Sequence, residues 1–118
     1  LARAPARRGS PIPPLETSAG WAILSGLGHE QVWGILAASE SSQETINKFQ
    51  RWYPDMRATG ECVAPGVALN GADGVAVRVE SQGVAVASVS VIASTEQIAR
   101  DADRIIEVLR RHSARWNR

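Results

Sequence analysis

The sequence has little of what several protein classes require. Its 118 residues contain one cysteine, Cys62, which excludes an internal disulfide framework and fits the reducing environment of the cytoplasm. It has no run of about eighteen apolar residues, so we expect no membrane span. The formal net charge is only +1, whereas duplex binding needs a concentrated basic surface. We therefore expect one small cytoplasmic domain that makes no direct contact with DNA.

Residue patterns for catalysis or metal binding are equally scarce. Cys62 has no second ligand at metal-binding spacing, and His29 and His112 are far apart along the chain. The glycines of residues 71–74 follow no clear strand and open no helix, as a phosphate-binding loop would. We therefore expect no catalytic residue, no metal site and no cofactor, and we do not expect an enzyme.

The first half of the chain carries helix signals separated by glycines. Thr17 or Ser18 can cap a helix that runs to Leu24. A second helix is predicted for residues 29–38, where apolar side chains recur at the spacing of one helix face. The glycines between the two segments predict a tight corner rather than one continuous helix.

A third helix is predicted after the polar stretch of residues 39–42. Ser41 and Glu44 have the spacing of a capping box, in which the two side chains satisfy amides at the start of a helix. Pro54 is predicted to end this helix, because proline has no N–H to donate and clashes with the preceding turn.

The second half changes from a helical to an alternating period. Residues 75–80 and 84–92 are rich in valine, and the turn residues 81–83 between them predict a hairpin. A weaker strand is predicted for residues 61–69. Strict alternation would place four side chains of the last strand on one face: Val84, Val86, Ser88 and Ser90.

A final helix follows the hairpin, because Ser94 and Gln97 repeat the capping-box spacing and an apolar stripe continues to Leu109. The resulting order predicts an α+β fold, with an antiparallel sheet flanked by helices. Two or three strands form a small sheet for this many helices. Further strands, from a segment before Leu1 or from a partner chain, would complete it.

Several segments, in order along nearly the whole chain, resemble the effector-binding domain of IclR-type transcriptional regulators. Arg7–Leu24 is similar to the family's signature loop, with Gly9, Pro13, Thr17, Gly20, Ala22 and Leu24 in register. Gly28–Leu36 corresponds to the short helix that follows, and residues 57–67 resemble an Arg-Gly-Glu-x-x-Pro-Gly element with one extra residue. The hairpin from Gly83 and the helix after it resemble the end of the domain.

The resemblance implies a GAF-like fold that lacks its first strands, so that residues 1–118 form the C-terminal part of an effector-binding domain. A small effector, often an organic acid, would bind between the sheet and the signature loop. The protein would be a homodimer or homotetramer. It would act on DNA only through a winged-helix domain outside this chain.

The signature loop provides the first candidate ligand-binding residues. Amides at the start of a helix carry partial positive charge and suit a carboxylate. Four residues of this loop are therefore candidates to bind the ligand: Ile12, Ser18, Ala19 and Gly20. The alternative interpretation is an ordinary capped helix, which needs no ligand.

Four further candidates lie outside that loop or depart from the family pattern. The residue that matches Ser90 donates to the effector in the family, and Thr59 matches a polar position that contacts the ligand. Ile92 stands where the family has a residue with a hydroxyl group. Trp21 stands where the family has a lysine, and its ring could close the pocket, which would favour an aromatic acid as the effector. Tryptophans on helices also serve as core residues, and the change at Ile92 keeps open a ligand-free dimerisation module of the same fold.

Overall fold

A computed structural model describes residues 14–63 and 72–117. After a short 3-10 turn at Pro14–Glu16, the elements are α1 (Ser18–Leu24), α2 (His29–Ala38), α3 (Gln43–Thr59), β1 (Glu61–Cys62), β2 (Ala72–Ser81), β3 (Val84–Ser94) and α4 (Thr95–Ser113). The predicted α+β order of three helices, an antiparallel sheet and a closing helix is confirmed. In the two described ranges, no helix is both long and apolar enough to cross a membrane.

The three strands form one antiparallel sheet in the order β1-β2-β3. The hairpin predicted at residues 81–83 is present: Gln82 and Gly83 have φ values of 53° and 78°, as a two-residue type I′ turn requires. Of the weaker strand predicted for residues 61–69, the structure describes residues 61–63, and among these Glu61–Cys62 form a strand; residues 64–69 lie outside the described range.

A β-bulge interrupts the pairing of β2 with β3. Val79 pairs with Ala87 whereas Glu80 pairs with Ala85, so Val86 is an extra residue on β3. The prediction of strict alternation through β3 is therefore wrong. Ala85 borders Gly26, just after α1, and thus shares a face with Ser88 rather than with Val89.

The sheet separates two apolar layers because alternate residues of β2 point to opposite faces. Ala76 belongs to the core beneath α1 and α3, which includes Trp21 and Phe49. Val75 and Val77 face α4, where Ile98, Ile106 and Leu109 cover them. Ser94 begins α4 as predicted, since its Oγ accepts a hydrogen bond of 3.1 Å from the amide of Gln97.

Helix α3 differs from the prediction at both ends. Its N-cap is Ser42, which accepts from the Thr45 amide, rather than Ser41. The helix also continues past Pro54 and ends at Gly60, whose φ of 74° suits a left-handed C-cap. Buried side chains lie on both sides of the proline, Tyr53 before it and Met56 after it, so tertiary packing overrides the local signal.

Candidate functional site

The start of α1 lies against the sheet, and its amides are partly used by the protein itself. Thr17 is the N-cap: its Oγ1 accepts from the Gly20 amide at 3.0 Å, and its carbonyl accepts from the Trp21 amide at 3.0 Å. A side chain at Gly20 would meet the backbone of Pro14. Gly20 therefore donates its amide to the N-cap residue, and its lack of a side chain lets the 3-10 turn approach closely. Both roles agree with the alternative interpretation of an ordinary capped helix.

Ser18 connects α1 to the middle of the sheet. It is buried, and a Cβ added to Gly74 of β2 would meet its Oγ. The helix can approach β2 this closely because Gly74 has no side chain. The role of Gly74 follows from this tertiary contact, which no local pattern in the sequence reveals.

Beside α1, strand β3 presents polar and apolar groups on the same face. Ser88 Oγ donates a hydrogen bond of 2.9 Å to the carbonyl of Ala19. Two and four residues farther along the regular part of the strand, Ser90 and Ile92 continue this face, and both are exposed, Ile92 to 65%. Ile92 pairs with Gly74, on which Ser18 rests.

We call the exposed pair Ser90 and Ile92, next to the start of α1, the β3 ledge. The fold brings four of the sequence candidates together here, although they are separated by some seventy residues: Ser18, Ala19, Ser90 and Ile92. A hydroxyl and an isoleucine side chain on an open strand face offer one polar and one apolar contact to a small molecule.

Trp21 lies elsewhere, in the core beneath α1. Its side chain is 1% exposed, its Nε1 donates to the Leu15 carbonyl at 2.9 Å, and its ring meets Phe49 edge-on at 5.3 Å. The ring therefore packs towards α3 and not over the ledge. The idea that Trp21 forms a pocket wall has no support in this arrangement, whereas its alternative as a core residue does.

Thr59 and Ile12 are the remaining candidates. Thr59 ends α3 at the β1 side of the sheet, where its Oγ1 donates to Asp55 and accepts from the amide of Glu61. The ledge is on β3, the opposite edge strand, so Thr59 is not brought to it. Ile12 lies outside the described residues.

Two further concave surfaces exist in the described part of the chain. One lies between the 3-10 turn and the end of α2 and is lined by Leu15, Glu16, Ile35 and Ser41, among others. The other is a groove between β3 and α4, lined by Val91, Ala93, Ile105 and Val108, among others. Over residues 14–63 and 72–117, no three His, Cys, Asp or Glu side chains are grouped to hold a metal ion.

No protein-family profile and no curated protein matches the sequence, but solved structures do. A Rhodococcus sp. RHA1 protein assigned as a transcriptional regulator is 20% identical, with a TM-score of 0.79 over 97% of this chain and 51% of its own. A double mutant of the Acinetobacter PobR inducer-binding domain, in complex with 3-hydroxybenzoic acid, is 20% identical, with a TM-score of 0.74 over 99% and 78%.

A third structure is an IclR homologue from Microbacterium hydrocarbonoxydans in complex with 4-hydroxybenzoate. It is 25% identical, with a TM-score of 0.65 over 95% of this chain and 52% of its own. The chain thus spans about half the length of the Rhodococcus and Microbacterium proteins. The fold expected from the sequence resemblance is confirmed: this chain has the fold of the C-terminal effector-binding domain of IclR-type transcriptional regulators.

Proposed function

We propose that this chain is the sensing part of an IclR-type transcriptional regulator and that it binds a small organic acid at the β3 ledge. The observation that carries the proposal is the fold shared with two ligand complexes, one holding 3-hydroxybenzoic acid and the other 4-hydroxybenzoate. An aromatic acid of this size is the effector class that we infer. The chain would be a regulatory domain rather than an enzyme.

The chemistry of the ledge supports an aromatic acid. The exposed Ile92 side chain offers an apolar surface for a ring, since covering it removes hydrocarbon area from water. The hydroxyl of Ser90 is exposed on the same face and can donate to a carboxylate or accept from a phenol. Ser88 is less available, because its Oγ already donates to the Ala19 carbonyl.

The start of α1 is the element through which a bound acid would act. Ser18 rests on Gly74, and Ala19 accepts from Ser88, so α1 touches both strands beside the ledge. A ligand that contacts α1 and β3 together would favour one placement of the helix on the sheet. The ligand can shift the equilibrium between two placements of α1 on the sheet only as far as its affinities for those two placements differ.

The output of the sensor would be a change in DNA binding. We infer that DNA is bound by a winged-helix domain outside residues 1–118 and that the regulator is a homodimer or homotetramer. Two of the basic side chains near the end of α4, Arg110 and Arg111, are paired with the carboxylates of Glu61 and Glu107.

A thermal-shift titration tests the proposal, because a ligand that binds only the folded state raises its melting temperature. We expect 3-hydroxybenzoate and 4-hydroxybenzoate to raise the melting temperature and acetate to have little effect. Ser90→Leu should abolish the shift, whereas Thr59→Val, at the opposite edge of the sheet, should retain it. Equal shifts in both variants would remove Ser90 from the site, and no shift with any aromatic acid would refute the proposed effector class.

A ligand-free interaction module is the second candidate. The observation in its favour is the exposure of Ile92, where the family pattern has a hydroxyl. On this alternative the ledge contacts protein rather than a small molecule. Ile92→Ser separates the two. If the ledge is an effector site, it should reduce the melting-temperature shift produced by a hydroxybenzoate, because the ring loses its apolar contact, and leave self-association unchanged. If the ledge is an interface, it should weaken self-association.

A further inference from the structure

Ser88 lies on the same face of β3 as Ser90, but its hydroxyl is directed to α1. Its Oγ donates a hydrogen bond of 2.9 Å to the carbonyl of Ala19, in the first turn of that helix. The side chain of Ser88 is half-buried, whereas that of Ser90 is exposed. The strand therefore presents two neighbouring hydroxyls on one face, of which one is engaged by the helix and the other faces solvent.

The helix can give up the bond from Ser88 without leaving its carbonyl unpaired. Ala19 and Ile23 both lie within α1, and in an α-helix the carbonyl of a residue accepts from the amide four positions later. The bond from Ser88 is thus a second bond to an oxygen that has two lone pairs. What the Ser88 hydroxyl needs in exchange is another acceptor, because a hydroxyl shielded from water and left unpaired is destabilising.

The spacing of Ser88 and Ser90 suits a single carboxylate as that acceptor. The two serines pair with Arg78 and Ala76 of β2 beyond the bulge, so they are successive residues on one face of a regular strand, about 6.7 Å apart. A carboxylate has two acceptor oxygens, and a hydrogen bond of about 2.7 Å to each of them bridges a gap of this size. A bond from Ser88 to a charged oxygen is also stronger than its bond to a neutral carbonyl.

We propose that Ser88 is a latch for α1 that an acidic effector opens. The hydroxyl donates to Ala19 in the free chain, and in the complex it donates to the effector carboxylate together with Ser90. This inference rests on the proposed effector site and names the bond through which a ligand at the β3 ledge acts on α1. It requires the carboxylate, so a neutral molecule with the same ring would occupy the ledge without opening the latch.

The other end of α1 stays in place when the latch opens. At the corner after the helix, Arg78 of β2 donates to Ser25 Oγ at 2.9 Å. Arg57 and Tyr53 of α3 donate to the carbonyl of Leu27 at 2.6 Å and 3.1 Å. The donors of these bonds belong to β2 and α3 rather than to the ledge. Opening the latch therefore loosens the first turn of α1 while the corner serves as the pivot.

NMR titrations with 4-hydroxybenzoate and with 4-methylphenol, in which a methyl group replaces the carboxylate, test the contact to Ser88. We expect Ser88→Ala to weaken binding of 4-hydroxybenzoate at least about fivefold, because a donor to a charged group is lost, and to affect 4-methylphenol little. Ser88→Thr keeps the hydroxyl and should restore the affinity for the acid. Equal weakening of both ligands by Ser88→Ala, or no rescue by threonine, would overturn the proposal.

The carbonyl carbon of Ala19 reports on the latch, because its chemical shift depends on the hydrogen bonds that its oxygen accepts. Saturation with 4-hydroxybenzoate should move this resonance in the direction in which Ser88→Ala moves it in the free chain, whereas the carbonyl of Leu27 at the corner should not move. Thr59→Val, which removes a hydroxyl at the opposite edge of the sheet, is the matched control and should leave the Ala19 resonance in place.

The outcomes separate the latch from the effector site. Binding of 4-hydroxybenzoate with no movement at Ala19 would overturn the latch and leave the effector site standing. Movement of Ala19 by 4-methylphenol as large as that by the acid would also overturn it, since the effect would then come from the ring. If no aromatic acid binds, both the effector site and the latch are refuted.

Discussion

Arg78 of β2 donates a hydrogen bond of 2.9 Å from its guanidinium to the Oγ of Ser25, the residue that ends α1. The Arg78 side chain is 10% exposed, and it also donates to the carbonyls of Met56 and Arg57 in the last turn of α3. A pair with Glu80 at 2.8 Å completes its contacts. One arginine thus joins the sheet to the C-terminal ends of two helices, where carbonyl groups lack partners within the helix.

Replacing Arg78 by methionine should lower the free energy of unfolding by about 3 kcal/mol, because several charge-assisted hydrogen bonds are lost, among them the one to the hydroxyl of the buried Ser25. Urea denaturation measures the change. Arg100→Met is the matched control, since Arg100 is exposed and pairs only with its neighbour Asp101 among the contacts seen, and exposed pairs contribute little. Similar losses in the two variants would show that Arg78 does not join the layers.

Pro54 provides a second test of how packing holds the helical layer together. It is exposed and lies inside α3, where its ring removes one helical hydrogen bond. Pro54→Ala should therefore raise the free energy of unfolding by about 1 kcal/mol or more. Arg51→Ala, at an exposed position one turn earlier, is the control and should change the free energy of unfolding little. A loss of stability in Pro54→Ala would mean that proline is favoured at this site.

The same helix shows which parts of the fold local signals can predict. Helix caps and apolar periodicity depend on residues within one or two turns, and these signals correctly predicted α1, α2, α4 and the hairpin. The end of α3 depends on contacts across the fold instead: Tyr53 Oη donates to Leu27, and the guanidinium of Arg57 donates to the same carbonyl. These bonds hold the helix together beyond Pro54, and no local pattern reports them.

The candidate site was predictable only in part for a related reason. Ser90 and Ser18 could be proposed from a resemblance, but their proximity depends on where α1 crosses the sheet. The bulge at Val86 fixes which β3 side chains share a face with Ser88, and it arises from pairing with β2 rather than from β3 alone. Trp21 was ambiguous, because a buried ring and a pocket wall have the same helical spacing.

The contact between Ser18 and Gly74 leads to a prediction about α1 and the sheet. In Gly74→Ala the new methyl group would meet Ser18 Oγ, so we expect the free energy of unfolding to fall by about 2 kcal/mol through overpacking. Adding Ser18→Ala should recover part of that loss, because it removes the obstructing oxygen, and a double-mutant cycle measures the recovery.

Gly34→Ala is the control for that cycle. A Cβ at Gly34 of α2 would meet nothing within 4 Å, so alanine should stabilise the helix by about 1 kcal/mol through its higher propensity. Opposite signs for the two glycine substitutions would locate the effect at the contact with Ser18. A purely additive cycle would show that Ser18 and Gly74 are not coupled.

The β2–β3 turn gives a prediction in which the same substitution has opposite effects at two sites. Gln82 has a positive φ of 53°, a region that asparagine adopts more readily than glutamine. Gln82→Asn should raise the free energy of unfolding by about 0.5 kcal/mol, because asparagine followed by Gly83 is the favoured pair for a type I′ turn. Gln31→Asn, on the exposed face of α2, should instead lower it by a few tenths of a kcal/mol, since asparagine is the weaker helix former. Thermal and urea unfolding of both variants measure the two signs, and stabilisation at Gln31 or destabilisation at Gln82 would contradict the turn geometry that sets the register of β3.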